Sequence, residues 1–572
     1  MQKTSAVARG LRKASLVLRG GRVVNLFTRE IIETDLLIEG GLVAALGTGY
    51  PAGEVTIELG GGYVIPGLID AHIHLESTLL LPDQFAAAVL PHGTTAVIAD
   101  PHEIANVLGK RGVDFMLEAV ERLPLDFYFM VPSCVPSTEM ETAGGELTAE
   151  EVARLLDHPR VLGLAEMMNF PGVIQGDAAV AAKIEAAQRR GKPVDGHLPA
   201  MGGRELQAYL GAGISTDHES VSAAEALEKV SLGMRAIIRE GSAARNLTAL
   251  LPAVEAAGSR WFMFGTDDKE AGELLSAGHI DELMRRAVAQ GGDPFDAVEM
   301  ATLNPALHYG LARRGAVAPG YRADLVVVDD LRSFNVRMVL KGGRVVAREG
   351  AAAVEIPPCV PGEELLQTVR LPRELEASDF AFPAAPGAVP VIGLVPEQII
   401  TEKLMLEPRR DAGGAVRADP QRDLVKVAVV ERHRGSGRVA TGLLRGLGLR
   451  RGAIASSVAH DSHNIIAAGV EEAAMAAAVN ALARAGGGFV AVDGAGAVLD
   501  LLPLPVAGLI SPEPAAQVAA ALERVTAAAR KLGAVPAQPF LTLSFLALPV
   551  IPHLKITDRG LFDVDSFSFI RP

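Results

Sequence analysis

The chain is expected to be an α/β protein: a (β/α)8 TIM-like barrel with a small composite β-sandwich domain and an additional C-terminal α+β domain. Three observations predict it. Between residues 67 and about 310, eight short strand-like runs are separated by helical patterns, the rhythm of a parallel sheet with crossover helices. The segment L-R-G-G-R-V-V at Leu18 to Val24 is echoed by L-K-G-G-R-V-V at Leu340 to Val346, on the far side of that alternation. Beyond about residue 360, Pro357-Pro358 and Pro361-Gly362 punctuate a linker and the pattern changes. The expected units are residues 1–66 with 311–356, residues 67–310, and residues 357–572. A chain of 572 residues is too long for one ordinary domain.

Taken in order, residues 14–66 read as short strands. Leu16-Val17-Leu18 and Arg22-Val23-Val24 flank Gly20-Gly21, a hairpin signal. The second copy, beside the strand-like A-D-L-V-V-V-D from Ala323, completes one small β domain built from both flanks of the barrel. Candidate barrel strands are 64–70, 95–99, 127–131, 161–165, 193–196, 214–216, 235–238 and 261–265. Helical patterns such as 113–123 and 178–190 lie between most of them. An open doubly wound sheet is the structural rival. In the last third a strand is expected over 426–431, an Ala-rich helix over 471–485 and a glycine turn at 486–488.

The polar residues acquire meaning when placed on that count. In V-I-P-G-L-I-D-A-H-I-H-L-E-S-T, His72 and His74 follow an apolar run. Side chains at i and i+2 of a strand share a face, so the two imidazoles lie side by side. Imidazole nitrogen suits zinc, iron, nickel, copper and manganese, but two histidines need further ligands. The chain offers them at successive strand ends: Asp100 and His102, Glu166, His197, His218, and Asp267 with Asp268. In a barrel all of these face one mouth. His92, His158, His279 and His308 fall elsewhere and are expected to cap or coat helices. Together the strand-end donors could hold two divalent ions, with Glu166 bridging. A bound cation lowers the pKa of its water towards about 7, and Asp267 is placed to take the proton and return it to a leaving group. The reaction class is metal-assisted hydrolysis at a carbon bearing nitrogen or oxygen. In the last third, His460, Asp461 and His463 of V-A-H-D-S-H-N-I are either metal- or proton-handling groups or a polar loop sealing a domain contact.

Composition excludes several alternatives. A net charge of −14 with no basic stripe argues against nucleic acid. The apolar run 540–554 is broken by Pro549 and Pro552, and the Ala-rich run carries Asn480 and Arg484, so no membrane span is expected. Residues 1–15 have basic residues but no apolar core behind them, unlike a secretory signal. The two cysteines, Cys134 and Cys359, form no metal or disulfide framework, and reducing cytoplasm is the expected compartment. A homo-oligomer, dimer or larger, is expected.

Nearly end to end, the chain resembles the amidohydrolase superfamily and, within it, the adenine deaminases of bacteria and archaea. The shared blocks include P-G-L-I-D-A-H-I-H-L-E-S-T, A-D-P-H-E-I-A-N-V-L-G, M-N-F-P-G-V, D-G-H-L-P, T-D-H-E-S and G-T-D-D. In the C-terminal third they include G-A-I-A-S-S-V-A-H-D-S-H-N-I and K-I-T-D-R-G-L-F-D-V. The resemblance implies hydrolysis of a small purine base, adenine, to hypoxanthine and ammonia in purine salvage. It implies manganese, with iron or zinc possible, at a two-metal site. It implies ligand roles for His72, His74, Glu166, His197, His218 and Asp267, and catalytic roles for Asp267 and Glu166. Where many superfamily members bridge their metals with a carboxylated lysine, this chain has Glu166, as this family does. Water adds at C6 of the purine, and Glu76, His102 and Glu103 are candidates for the polar contacts to the ring or for support behind the ligands, as are Asp100 and the His460, Asp461, His463 cluster. Another amidohydrolase, acting on a cyclic amide or an N-acyl amino acid, and a non-catalytic scaffold are the alternatives.

Overall fold

The computed structural model describes residues 2–242, 244–383, 386–396 and 398–570. Eight parallel strands form the centre of the molecule: Leu68–Ile73, Thr94–Ala99, Asp126–Val131, Val161–Met167, Val194–Gly196, Thr216–Asp217, Arg235–Arg239 and Phe262–Gly265. The first five pair in order as one sheet and the last three as another. Both gaps between the sheets are bridged. Ser215 N donates to Val194 O at 2.9 Å, joining strand five to strand six. Asp267 N donates to His72 O at 2.9 Å and His74 N donates to Asp267 O at 3.2 Å, joining strand eight to strand one. The eight strands therefore close into a barrel, and the open-sheet rival is excluded.

The barrel interior is filled by Ile69, Ala71, Ala96, Ile98, Met130, Ala165, Ile237 and Met263, with Tyr309 packed against them. Ile69 and Ala71 are odd-numbered, whereas His72 and His74 are even. Strict alternation would send one pair outward. The pairing resolves this: Asp70 lies opposite Val97 and Ile73 opposite Ala99, so strand one carries one extra residue there. That bulge reverses the facing of the residues beyond it and turns both histidines inward.

The expected first barrel strand, 64–70, is two elements. Tyr63–Pro66 pairs antiparallel with Leu325–Val328 in a separate sheet, and Leu68–Ile73 starts the barrel. Gly67 is the crossing point. A Cβ there would stand 2.2 Å from Thr95 Oγ1, so the chain can pass the second strand only as glycine. The separate sheet has nine strands and draws on both flanks of the barrel, from Leu16–Asn25 through Arg344–Arg348 to Ala351–Ala352.

The two G-G-R-V-V segments take different shapes. At the second, Val336–Lys341 and Arg344–Arg348 form the hairpin expected, with Gly342 and Gly343 both at positive φ (53° and 76°), as a tight two-residue turn requires. At the first there is no hairpin. Leu16–Asn25 is one strand, with a bulge between Leu18 and Gly21. Only Gly20 has positive φ there, and its N–H donates to Asp35 Oδ1 on the neighbouring strand at 2.9 Å. The pairing partner, not the local sequence, decides between turn and bulge.

The last third contains an eight-stranded sheet from Val389–Leu394 to Val498–Pro503, with the Ala-rich helix Glu472–Ala485 and the helix Ala515–Leu532. A three-stranded sheet, Leu554–Thr557, Gly560–Asp563 and Ser568–Ile570, ends it. Among the described residues no helix is long and apolar enough to cross a membrane, and both cysteines are free.

Gly67→Ala is expected to lower stability by roughly 1–3 kcal/mol, the cost of overpacking a tight contact. Thermal unfolding measures it. An unchanged midpoint would mean that Thr95 moves aside freely.

Candidate active site

The strand-end donors meet at one end of the barrel. Glu166, on strand four, is the centre. Its Oε1 lies 3.3 Å from His74 Nε2 and 3.4 Å from His102 Nδ1, and its Oε2 lies 2.6 Å from His197 Nδ1 and 3.1 Å from His218 Nε2. Asp267 Oδ1 lies 3.0 Å from His74 Nε2 and 3.4 Å from His72 Nε2, while its Oδ2 accepts from Arg239 Nη1 at 2.9 Å. His72 stacks on His218 with ring centroids 4.2 Å apart. All six residues expected as metal ligands are thus within one buried cluster.

Local structure aims each donor. His74 Nδ1 donates to the carbonyl of Asp100 at 3.1 Å, which leaves Nε2 as the free donor turned inward. Asp267 adopts positive φ (56°), a conformation unfavourable for a side-chain-bearing residue, and is held there by its two backbone bonds to His72 and His74. Lys229, wholly buried, donates to Asp217 Oδ2 at 2.8 Å and to Leu198 O at 2.7 Å, tying together the two strand ends that carry His197 and His218. Tyr209 Oη accepts from His197 N at 3.1 Å and donates to Met167 O at 2.7 Å, bracing strand five against strand four.

The electrostatics fit cations. Burial opposes ionisation of Glu166, but His218 and His197 outweigh it and hold the carboxyl well below its usual range. Burial likewise opposes Asp267, and Arg239, His72 and His74 pull it well below. Four overlapping groups bring their ligand atoms within 4.8 Å of one another: His72, His218 and Asp267; Glu166, His197 and His218; His74, Asp100, His102 and Glu166; and His74, Asp267 and Asp268. His72 Nε2 and His197 Nε2 meet no hydrogen-bond partner among the described residues. Nitrogen and carboxylate donors at this density suit divalent transition metals.

The residues expected around the ligands divide. Asp100 and His102 belong to the cluster: His102 Nδ1 lies 3.2 Å from Asp100 Oδ2. Glu103 faces His460 and His463. Glu76 does not line the cavity. Its Oε1 accepts from Ile104 N at 3.0 Å, capping the helix His102–Leu108 and so placing His102 and Glu103. Of the histidines expected to coat helices, His92 pairs with Asp281 and His158 accepts from Arg160 N, whereas His279 is wholly buried in the barrel wall, 2.9 Å from Asp70 Oδ2 and 2.8 Å from Thr94 Oγ1. His308 packs edge-on against Tyr309.

Several residues of the site escape sequence reasoning. Arg239 clamps Glu219 and Asp267 from the end of strand seven. It is one residue past the expected strand, and the strand-end rule that found the histidines would have found it. The cavity is roofed by Ile399, His460, Asp461, Phe545, Leu548 and Ile551, all from the last third. The run 540–554 is thus a lid, and no local pattern marks it as one. Lys555, the first residue of K-I-T-D-R-G-L-F-D-V, donates to the carbonyls of Ile399 (2.9 Å) and Phe545 (3.0 Å) and pins the two lid segments together. In the same block Asp558 accepts from Thr142 N, Thr142 Oγ1 and Arg438 Nη1, each at 2.8 Å, and Thr557 Oγ1 donates to Met140 O at 2.8 Å. These bonds fasten the lid to the loop after barrel strand three.

A barrel of parallel strands whose ends gather four or five imidazoles around two carboxylates defines a metal-dependent amidohydrolase. Residues 63–346 match the model of the amidohydrolase family, and residues 398–568 match that of the adenine deaminase C-terminal domain. Over 565 residues the chain is 48% identical to an adenine deaminase of Desulfatibacillum aliphaticivorans, covering 99% of this chain and 98% of the relative. It is 49% identical to one of Nitratidesulfovibrio vulgaris, covering 98% and 97%. The chain belongs to the adenine deaminase family of the amidohydrolases. Among solved structures, the atrazine chlorohydrolase TrzN of Arthrobacter aurescens TC1 shares 16% identity at a TM-score of 0.47, over 59% of this chain and 97% of that one.

Asp558→Ala strips partners from two buried donors of Thr142 and is expected to cost roughly 2–6 kcal/mol of stability, at about 1–3 kcal/mol per orphaned group. Asp558→Asn, which keeps one acceptor, should lose less. Denaturant titration of both variants distinguishes them; equal, small losses would show that the clamp contributes little.

Proposed function

We propose that this protein hydrolyses free adenine to hypoxanthine and ammonia, in the salvage of purine bases, at a site holding two divalent cations with manganese as the resident metal. The observation that carries the reading is the convergence of His74, His197 and His218 on Glu166 and of His72 and His74 on Asp267, beneath a lid supplied by the family's own C-terminal domain. The cavity suits a flat heterocycle. Met168, Ile399, Phe545, Leu548 and Ile551 offer apolar surface, while charged and polar groups ring the edge.

His72, His74, Glu166, His197, His218 and Asp267 are the residues that would hold the metals, with Glu166 offering one oxygen to each side. Bound there, divalent cations supply Lewis acidity and make water a nucleophile at neutral pH. The chain's own residues do the rest. Asp267, kept ionised by Arg239, accepts a proton from the attacking water and delivers it to the departing amine. The lid excludes bulk water, so these charges act in a low-dielectric space. His102 and Asp100 brace the cluster from strand two.

Protein produced with manganese should consume adenine, followed by its ultraviolet absorbance, and release ammonia. Chelation should abolish turnover and manganese restore it. Asp267→Asn should lower kcat by about 10²- to 10⁴-fold, the usual contribution of a positioned acid–base group. No loss of adenine, together with turnover of a cyclic amide, would replace this reading with that of another amidohydrolase.

A further inference from the structure

Addition of water at C6 of a purine pushes an electron pair onto the ring nitrogen bonded to that carbon, and the pair must receive a proton. Asp267 cannot supply it, because its proton goes to the amine. Resting on the adenine reading above, we propose that His460, carried into the barrel mouth by the C-terminal domain and oriented by Glu103, donates that proton from Nε2 to N1 of the purine.

The hydrogen bonds around Glu103 single out this imidazole. His463 Nδ1 accepts from Ala459 N at 3.1 Å, so the proton of His463 sits on Nε2, which lies directly against Glu103 Oε2 in a close ion-pair contact. His460 Nδ1 lies 2.7 Å from Glu103 Oε1 and donates to it. Both carboxylate oxygens are thereby engaged. His460 Nε2 is left buried, with no hydrogen-bond partner among the described residues, on a side chain that lines the cavity. Phe545 stacks on the His460 ring, centroids 4.6 Å apart and planes 18° from parallel, and fixes its plane.

The imidazole of strand two is already engaged. His102 has Nδ1 against Asp100 and Glu166 and Nε2 3.4 Å from Glu103 Oε1. Asp461 Oδ2 also lacks a partner, but its carboxyl, pushed by burial up to about 6, is mostly ionised at neutral pH and accepts from purine N–H groups rather than protonating N1. Burial alone would discharge His460, but the charge and hydrogen bond of Glu103 outweigh it, with Asp268 and Asp461 adding to the effect, and push it up to about 9. A charged imidazole with its second N–H turned to the cavity is a donor at neutral pH.

The protons balance. As the oxygen–C6 bond forms, the C6–N1 π pair moves to N1 and takes the Nε2 proton of His460. Asp267 removes one proton from the water and passes it to the amine, which leaves as ammonia when the C6–N6 bond breaks. The remaining hydroxyl proton departs as C6=O forms and returns His460 to its charged state. Hypoxanthine keeps the proton on N1.

The test compares the manganese-loaded wild type with His460→Gln in three measurements: metal content, kcat and KM for adenine, and inhibition by purine and by 1-, 3- and 7-deazapurine. Metal content should be unchanged, and kcat should fall about 10²- to 10⁴-fold with KM moving far less. In the wild type, replacing N1 by C–H should weaken inhibition by about tenfold or more, and in His460→Gln that ratio should collapse to about one. Retained kcat, an unchanged N1 ratio, or discrimination that moves to the 3- or 7-position would overturn the assignment and leave His460 as lid structure. Should His460→Gln fold poorly, Glu103→Gln carries the same comparison and must also shrink the N1 ratio. A wild type that leaves adenine untouched defeats the functional reading instead; the same purines, titrated by calorimetry as ligands rather than as inhibitors, then report on His460.

Discussion

The barrel closes through the residues that form its site. Strand eight meets strand one by two backbone hydrogen bonds, Asp267 N to His72 O and His74 N to Asp267 O. The same three residues contribute two imidazoles and a carboxylate to the cluster. Closure and the geometry of the clustered donors are therefore one constraint. If the strands slip, the donors separate; if Asp267 leaves its left-handed conformation, both the seam and the carboxylate's aim are lost. This explains why an energetically unfavourable backbone conformation is tolerated at a buried aspartate: the surrounding bonds over-determine it.

A second constraint is electrostatic. Glu166, Asp267, Glu103 and Asp461 lie together out of water, with Asp268 half-buried beside them, and each unpaired buried charge there would cost several kcal/mol. The chain surrounds them with imidazoles and one guanidinium rather than with lysines. Imidazoles can give up their proton to become ligands, whereas Arg239 stays charged and keeps Asp267 ionised. One ion pair that does use lysine, Lys229 with Asp217, sits behind the histidines and serves to hold their loops.

The C-terminal third is part of the site rather than an appendage to it. Its loop 457–464 brings His460 and His463 to Glu103, and Asn464 Nδ2 donates to Thr142 O at 2.9 Å. Its terminal strands anchor the lid through Lys555, Thr557 and Asp558. A barrel alone would present the cluster to bulk water, where fields weaken and a small flat substrate would have no roof.

The amino-acid sequence by itself determined the barrel, its order of strands and the six principal donors, because alternation of apolar runs and the placing of polar residues at strand ends are local, repeated signals. It also marked His460, Asp461 and His463 as a cluster without saying what they face. Only the tertiary structure decided the rest. G-G-R-V-V is a bulge against Asp35 in one place and a turn in another, since pairing partners choose between two conformations that the same residues allow. The bulge between Asp70 and Ile73 turns His72 and His74 inward, and it depends on register with strand two. Arg239, Glu76 and the lid act through contacts between segments far apart in the chain, and such contacts leave no periodic trace in the segments that make them.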